Sequence, residues 1–206
     1  MKLNSFQLKI IAIVLMTLSH IQYHIGISTV LYIGQASFPI FAFLCAYSAT
    51  KTRNITKFFL RLLIFGIIIQ IPLLFLNENY INIFITLALG VGAIYAVKSY
   101  NYYLLMPIFL FAYFTNLDYG VFGILVILGA YLLNFNKLYF SILLIVLQFI
   151  WIEIFNDFSF YQWYALLAIP LITLYNFEPG SKKFKYLFYI YYPLHTVVIY
   201  GISLII

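Results

Sequence analysis

The chain has 206 residues, of which 66% are hydrophobic and 8% charged, with a mean hydropathy of +1.05 and a net charge of +6. A water-soluble domain needs about a quarter of its residues charged, so this composition excludes one and leaves a single membrane-embedded domain over residues 1–206. The basic residues sit in short turns between apolar runs, where a membrane protein sets its orientation, and this excludes a nucleic-acid partner.

A hydrocarbon core of about 30 Å takes roughly 20 helical residues, fewer where the bilayer thins. The apolar runs predict an all-α, polytopic integral membrane bundle of about nine transmembrane helices, with eight to ten allowed by the short middle segments. The first spans residues 8–25. The polar stretch His20-Ile-Gln-Tyr-His24 follows its apolar part where a secretory signal would carry a small-residue cleavage site, so it is expected to remain as a helix. The others are expected at 29–49, 58–76, 82–97, 103–115, 120–133, 138–155, 163–174 and 186–206. The longest polar break, 175–185, holds a turn at Pro179-Gly180. Cys45 falls in an apolar run and reads as a small packing residue; as the only cysteine, it excludes an intrachain disulfide.

The charges orient these spans. With a cytoplasmic amino terminus and nine crossings, Lys2, Lys9, Lys51, Arg53, Lys57, Arg61, Lys98, Lys137, Lys182, Lys183 and Lys185 all fall at cytoplasmic ends. Glu78, Asp118, Glu153 and Asp157 fall at the opposite ends, and Glu178 alone of the acids is inside. At 1.5 Å per residue, His20 is about 16 Å beyond Lys9, near the midplane, and His195 reaches similar depth in the last span. Gln35, Gln70, Asn82 and the Asp118-Tyr119-Gly120 turn enter from the outer side. Polar groups therefore gather in the middle and outer half of the bundle.

An ionisable side chain within a membrane helix is costly and reads first as functional. His20 and His24, four residues apart, share a helical face, and imidazole serves as a general base near neutral pH. The alternative is that one or both bond a neighbouring helix. His195 follows Tyr-Tyr-Pro-Leu, and a proline frees a carbonyl that a polar side chain re-satisfies, so it is either a site residue or structural. The histidine spacing lacks the His-Glu-x-x-His form and a nearby acidic ligand, so no metal is expected. Ser19 and His20, being adjacent, point about 100° apart and do not form a nucleophile–base pair. Gly34, Gly90, Gly120 and Gly123 suit close packing or helix starts. Arg53, Lys57 and Arg61 form a cytoplasmic basic edge suited to anionic lipid headgroups, or to a phosphorylated acyl donor such as coenzyme A.

Several stretches together resemble the TraX family. They are Leu15-Met16-Thr17-Leu18-Ser19-His20, Gly34-Gln35-Ala36-Ser37-Phe38-Pro39-Ile40-Phe41-Ala42, Arg61-Leu62-Leu63-Ile64-Phe65, Gln70-Ile71-Pro72 and Asn82-Ile83-Phe84. Asp118-Tyr119-Gly120-Val121-Phe122-Gly123 and Phe188-Tyr189-Ile190-Tyr191-Tyr192-Pro193-Leu194-His195 complete the series. Each stretch alone is weak; their order over nearly the whole chain is specific. The resemblance implies a multi-pass protein of the bacterial cytoplasmic membrane, similar to a protein credited with acetylating the amino terminus of conjugative pilin. It also implies a distant similarity to membrane acyltransferases. The expected activity is acetyl transfer from cytoplasmic acetyl-CoA to a pilin-like peptide, glycan or other envelope acceptor, among membrane lipids. The alternative is a non-enzymatic transporter, flippase, or assembly or immunity factor. His20 and His195 match the family's first- and last-helix histidines and are the expected catalytic residues. Gln35, Gln70, Asn82, His24, Asp118 and Tyr119 are the expected substrate-binding residues, with Arg53, Lys57 and Arg61 for the donor. Two positions depart from the family pattern: Ser19-His20 replaces Asp-His, and Gly34-Gln35 replaces Gly-Arg. The first loses a charge beside the histidine, and the second exchanges a rigid cationic donor for a neutral one.

Overall fold

The computed structural model describes residues 2–26, 29–75, 79–156, 159–180 and 187–203. Among them the chain is all-helical apart from two isolated backbone bridges, Leu3 with Tyr175 and Ile81 with Leu117. Nine α-helices follow in order: α1 Ser5–Ile25, α2 Ser37–Lys51, α3 Ile55–Phe75, α4 Ile83–Lys98, α5 Leu105–Phe114, α6 Gly120–Leu132, α7 Lys137–Phe149, α8 Ala168–Thr173 and α9 Leu187–Ser203. Glu78, Asp157, Lys182, Lys183 and Lys185, which helped to orient the spans, lie outside the described residues.

Local chemistry sets the boundaries. Asn4 caps α1: its side chain accepts from the Gln7 N–H, and the Gln7 side chain accepts from the Asn4 N–H, each at 3.0 Å. Asn82 caps α4 by accepting from the Phe84 N–H at 3.0 Å. Gly26 ends α1 in the left-handed region, φ +69°, and Gly180 takes φ +67° at the expected Pro179-Gly180 turn.

Among the described residues four of the expected spans are only partly α-helical, the fifth because it begins with the 3-10 turn Tyr102–Leu104. The second begins with a 3-10 segment, Thr29–Ala36; the seventh passes into a π turn at Ile150–Ile154; the eighth begins with a 3-10 segment, Phe160–Leu167. Among the described residues four stretches are long and apolar enough to cross a membrane: Ser5–Ile25, Tyr32–Lys51, Ile55–Phe75 and Lys137–Ile154. The other apolar helices are shorter.

Chain contacts define two compact units, one of Met1–Phe41 with Leu144–Ile206, the other of Ala42–Leu143. In the second unit α4 is the central helix, packed on α3, α5 and α6. Ala88, Val91, Ala93, Ile94 and Ala96 along it are fully buried. A Cβ at Gly90 would stand 2.5 Å from Ile127 Cδ1, so glycine is what lets α4 meet α6 there. Along α3, by contrast, Leu60, Ile64, Ile67, Ile68, Ile71, Leu74 and Phe75 are exposed, an i, i+4, i+7, i+8 stripe of bare hydrocarbon. In the first unit α1 packs against α9 and against the 3-10 segment Thr29–Ala36, which in turn packs against Phe160–Leu167.

Candidate functional site

The first unit brings the three histidines together. His20 on α1 and His195 on α9 meet edge to face with ring centroids 4.8 Å apart. His24 stacks at 6.3 Å from His20, one helical turn along. Each of the pair is tied to its own helix: His20 Nδ1 lies 2.8 Å from the Met16 carbonyl, and His195 Nδ1 lies 3.0 Å from the Tyr191 carbonyl. A carbonyl only accepts, so in the neutral rings both Nδ1 atoms carry the hydrogen and both Nε2 atoms keep a lone pair. His195 Nε2 is buried and has no hydrogen-bond partner among the described residues. Two imidazoles with basic Nε2 nitrogens thus lie against each other in an apolar unit.

Aromatic rings hold these histidines in place. Tyr191 stacks flat on His195, 5.1 Å between centroids and 7° between planes, as expected for side chains four apart on one helical face. Tyr192 meets His195 edge-on at 5.4 Å and His20 at 6.1 Å. Thr17 donates to the Ile13 carbonyl at 2.9 Å, so the Tyr191 hydroxyl donates to Thr17 across 2.7 Å, pinning α9 to α1 one turn from His20. The sequence reading singled out neither Thr17 nor the tyrosines; the Tyr191–His195 spacing was the available signal. Pro193 removes the N–H that would serve the Tyr189 carbonyl, yet His195 bonds the Tyr191 carbonyl. The re-satisfaction expected from the proline is therefore not what this imidazole does.

Gln35 is half-buried beside Gly34 in the 3-10 segment. That segment lies directly on α1. A Cβ at Gly34 would overlap the Leu15 carbonyl oxygen and stand 2.5 Å from the Ser19 nitrogen. Only glycine fits, and its close approach sets Gln35 next in sequence to a residue touching the Ser19-His20 step.

The second unit holds the remaining expected site residues. Gln70 Nε2 donates to the Tyr80 carbonyl at 2.8 Å, and Gln70 Oε1 accepts from both Asn82 N–H, 3.0 Å, and Asn82 Nδ2, 2.8 Å. Asn82 Nδ2 also donates to the Gly66 carbonyl at 2.8 Å. With its oxygen capping α4, Asn82 is completely bonded and fully buried. Gln70 and Asn82 therefore stitch α3 to α4, and the bonds expected for a substrate are made within the fold.

Asp118 is half-buried in the turn before α6. Its N–H donates to the Ile81 carbonyl at 2.8 Å, and its own carbonyl accepts from Thr86 at 2.5 Å. Loss of water around the carboxyl pushes its pKa up to about 7, against the Tyr119 N–H, which favours the charged form. Tyr119 takes a left-handed backbone, φ +58°, to start α6. Near the start of α3, capped by Asn54 on the Lys57 N–H at 2.8 Å, Lys57 and Arg61 line an open cleft of about 260 Å³ with Leu60, Ile64 and Phe65. Arg53 is exposed just before that helix.

In comparison with protein families, the model described as TraX protein matches residues 5–203. No curated protein and no solved structure matches the chain.

Proposed function

The chain belongs to the TraX family, and on that premise we propose that it is a multi-pass membrane acyltransferase that moves an acetyl group from acetyl-CoA to an amine or hydroxyl of an envelope acceptor, with His20 as general base. The observation that carries this reading is the His20–His195 pair: two imidazoles, Nδ1 of each held by a carbonyl, Nε2 of each left basic. In the reaction His20 Nε2 takes the proton from the acceptor nitrogen or oxygen as that atom attacks the thioester carbonyl. The new amide or ester bond forms, the carbon–sulfur bond breaks, and coenzyme A departs as the thiolate, which is protonated from the imidazolium or from water. His195, with its ring centroid 4.8 Å away, orients the acceptor. Gln35 supplies a neutral hydrogen bond where the family carries a cation. Lys57 and Arg61, with Arg53 just before their helix, are suited by charge to the phosphates of coenzyme A.

Placement in the bacterial cytoplasmic membrane is supported by the four long apolar stretches and by the bare hydrocarbon stripe on α3, which water would not tolerate at this extent. The positive-inside distribution supports nine crossings with the amino end in the cytoplasm. Cysteine-accessibility labelling checks this: a cysteine beside Lys182 should react from the cytoplasmic side and one beside Asn79 from outside, and reaction of both from one side would overturn it. The activity is tested by mass spectrometry of envelope peptides, glycans and lipids from cells with and without the gene. An acetyl group present only with the gene is expected; identical acetylation in both would overturn the reading.

A further inference from the structure

Within the unit of residues 42–143, α3 and α4 run antiparallel. Asn82, at the start of α4, bonds the Gly66 carbonyl, and a Cβ at Gly92 would stand 3.5 Å from the Phe59 ring. Lys98, at the end of α4, therefore comes level with the start of α3, where Lys51, Arg53, Lys57 and Arg61 follow one another along the chain. Asp118, the one acid of this unit among the described residues, is at the other end. Its N–H donates to Ile81 and its carbonyl accepts from Thr86, on either side of Asn82. The cations thus gather at one end of the helix pair with the carboxylate at the opposite end. Such an edge attracts anions from outside the chain.

Two of these cations stand in a cleft of about 260 Å³, where Lys57 and Arg61 share the lining with Leu60, Ile64 and Phe65. The five positions are i, i+3, i+4, i+7 and i+8 on α3, which makes them one helical face. That face continues as hydrocarbon: Ile64, Ile67, Ile68, Ile71, Leu74 and Phe75 are each more than half exposed. At 1.5 Å per residue, Arg61 to Phe75 is about 21 Å, enough to line one leaflet of a core about 30 Å thick. Cations at the head of a leaflet's depth of bare hydrocarbon match the two parts of one molecule, an anionic phosphodiester and its acyl chains. A soluble phosphate carrier such as coenzyme A matches the cations and not the hydrocarbon. We propose that the Lys57–Arg61 cleft binds an anionic glycerophospholipid, its phosphate on the two cations and an acyl chain along the exposed face of α3. The planar fork of Arg61 suits two phosphate oxygens, and Lys57 adds a point charge. This binding goes beyond the acetyl-transfer reading and does not depend on it. One consequence alone rests on that reading: the donor's phosphates compete with the lipid for the same cations.

The test reconstitutes the full chain in nanodiscs of phosphatidylcholine, alone or mixed with phosphatidylglycerol, and reads the melting temperature. Phosphatidylglycerol should raise it by several degrees in the wild type, and Lys57→Gln with Arg61→Gln should lose at least half of that rise. The melt in phosphatidylcholine alone, expected to be unchanged, checks that this double variant folds. Lys51→Gln with Lys98→Gln removes the same charge from the same end outside the cleft and should keep most of the rise. Ile64→Ser with Ile68→Ser leaves the cations in place, interrupts the hydrocarbon track and should also reduce the rise. Glycerol 3-phosphate, the head without its chains, should give no rise in phosphatidylcholine nanodiscs. The site is overturned by no rise in the wild type, by equal losses in the two lysine-containing double variants, which would mean diffuse surface charge, or by a full rise in the serine variant. An equal rise with glycerol 3-phosphate would overturn it too, as a site for free phosphate. No acetyl-CoA enters any arm, so failure here leaves the acetyl-transfer reading where it stood, and absence of acetyl transfer leaves the lipid site standing.

Discussion

Two sets of buried polar groups among the described residues follow opposite rules. In the unit of residues 42–143, Asn82 and Gln70 exchange bonds with each other and with three main-chain groups, Tyr80, Gly66 and Phe84, until Asn82 has nothing left to offer. In the unit of residues 1–41 and 144–206, His195 Nε2, Gln148 Oε1 and Gln162 Nε2 are equally hidden and have no partner among the described residues. A satisfied network rigidifies the helices it joins; an unsatisfied one has bonding capacity that only a further molecule, or a proton in transit, can use. Both sets contain polar residues in apolar helices, and both fit the rule that such residues are functional. The comparison teaches that the rule needs its second half: which bonds the group has already made.

The largest effect expected is on turnover. A general base contributes about 10²–10⁴-fold to a rate, so His20→Ala should lower acetyl transfer at least a hundredfold in a steady-state assay, with the melting temperature in detergent nearly unchanged. Loss of stability with full specific activity in the surviving protein would place His20 in the same category as Asn82. Next in size is Asn82→Ala, which removes the Nδ2 bonds to Gln70 Oε1 and to the Gly66 carbonyl and the cap on the Phe84 N–H. It should cost about 2–4 kcal/mol in a denaturant or thermal melt while turnover per folded molecule stays within about twofold. A hundredfold rate loss with an intact melt would instead make Asn82 a site residue. His195→Ala should give the mixed result, a smaller rate loss than His20→Ala together with some destabilisation, because its ring also packs on Tyr191 and Tyr192.

Two smaller effects sharpen the contrast. Gln35→Arg restores the cation of the family pattern beside the Ser19-His20 step and should raise transfer or shift acceptor preference; an effect no larger than that of Gln35→Ala would make the position structural. Asp118 tests the scaffold unit through pH. Its carboxyl is raised from 3.8 to about 7 in the folded protein by burial, so between those values the folded chain holds a proton that the unfolded chain has lost. Stability should therefore be greatest near pH 4, fall as pH rises towards 7 and level off above it. Asp118→Asn should remove that part of the slope, by a few degrees in melting temperature, with no change in the pH dependence of turnover.

Much of the fold was legible in the sequence because apolar runs of span length, punctuated by Asn, Gly and basic turns, admit few alternatives. The runs 8–25, 58–76, 82–97 and 120–133 correspond to α1, α3, α4 and α6 with ends shifted by three residues or fewer. What was not legible was the helix type in 29–36, 150–154 and 160–167. Tertiary packing decides 3-10 or π geometry, as where Gly34 presses the chain onto α1, and hydropathy does not register it. The histidines stood out because ionisable groups are rare in such runs. Gln148 and Gln162 did not, since a single amide in a hydrophobic stretch looks the same whether its bonds are made or not. Gln70 and Asn82 stood out for a role in binding and have their bonds inside the fold. Sequence spacing carries no information on which carbonyl an amide will reach.

The most direct test of the contrast is acetyl transfer in proteoliposomes supplied with acetyl-CoA and a short peptide with a free amino terminus, read as the mass of the recovered peptide. The wild type and Asn82→Ala, assayed at equal amounts of folded protein, should both add one acetyl group, and His20→Ala should add none over the same time. Equal acetylation by His20→Ala and wild type would contradict the assignment of chemistry to the histidine cluster and of scaffolding to the Gln70–Asn82 network.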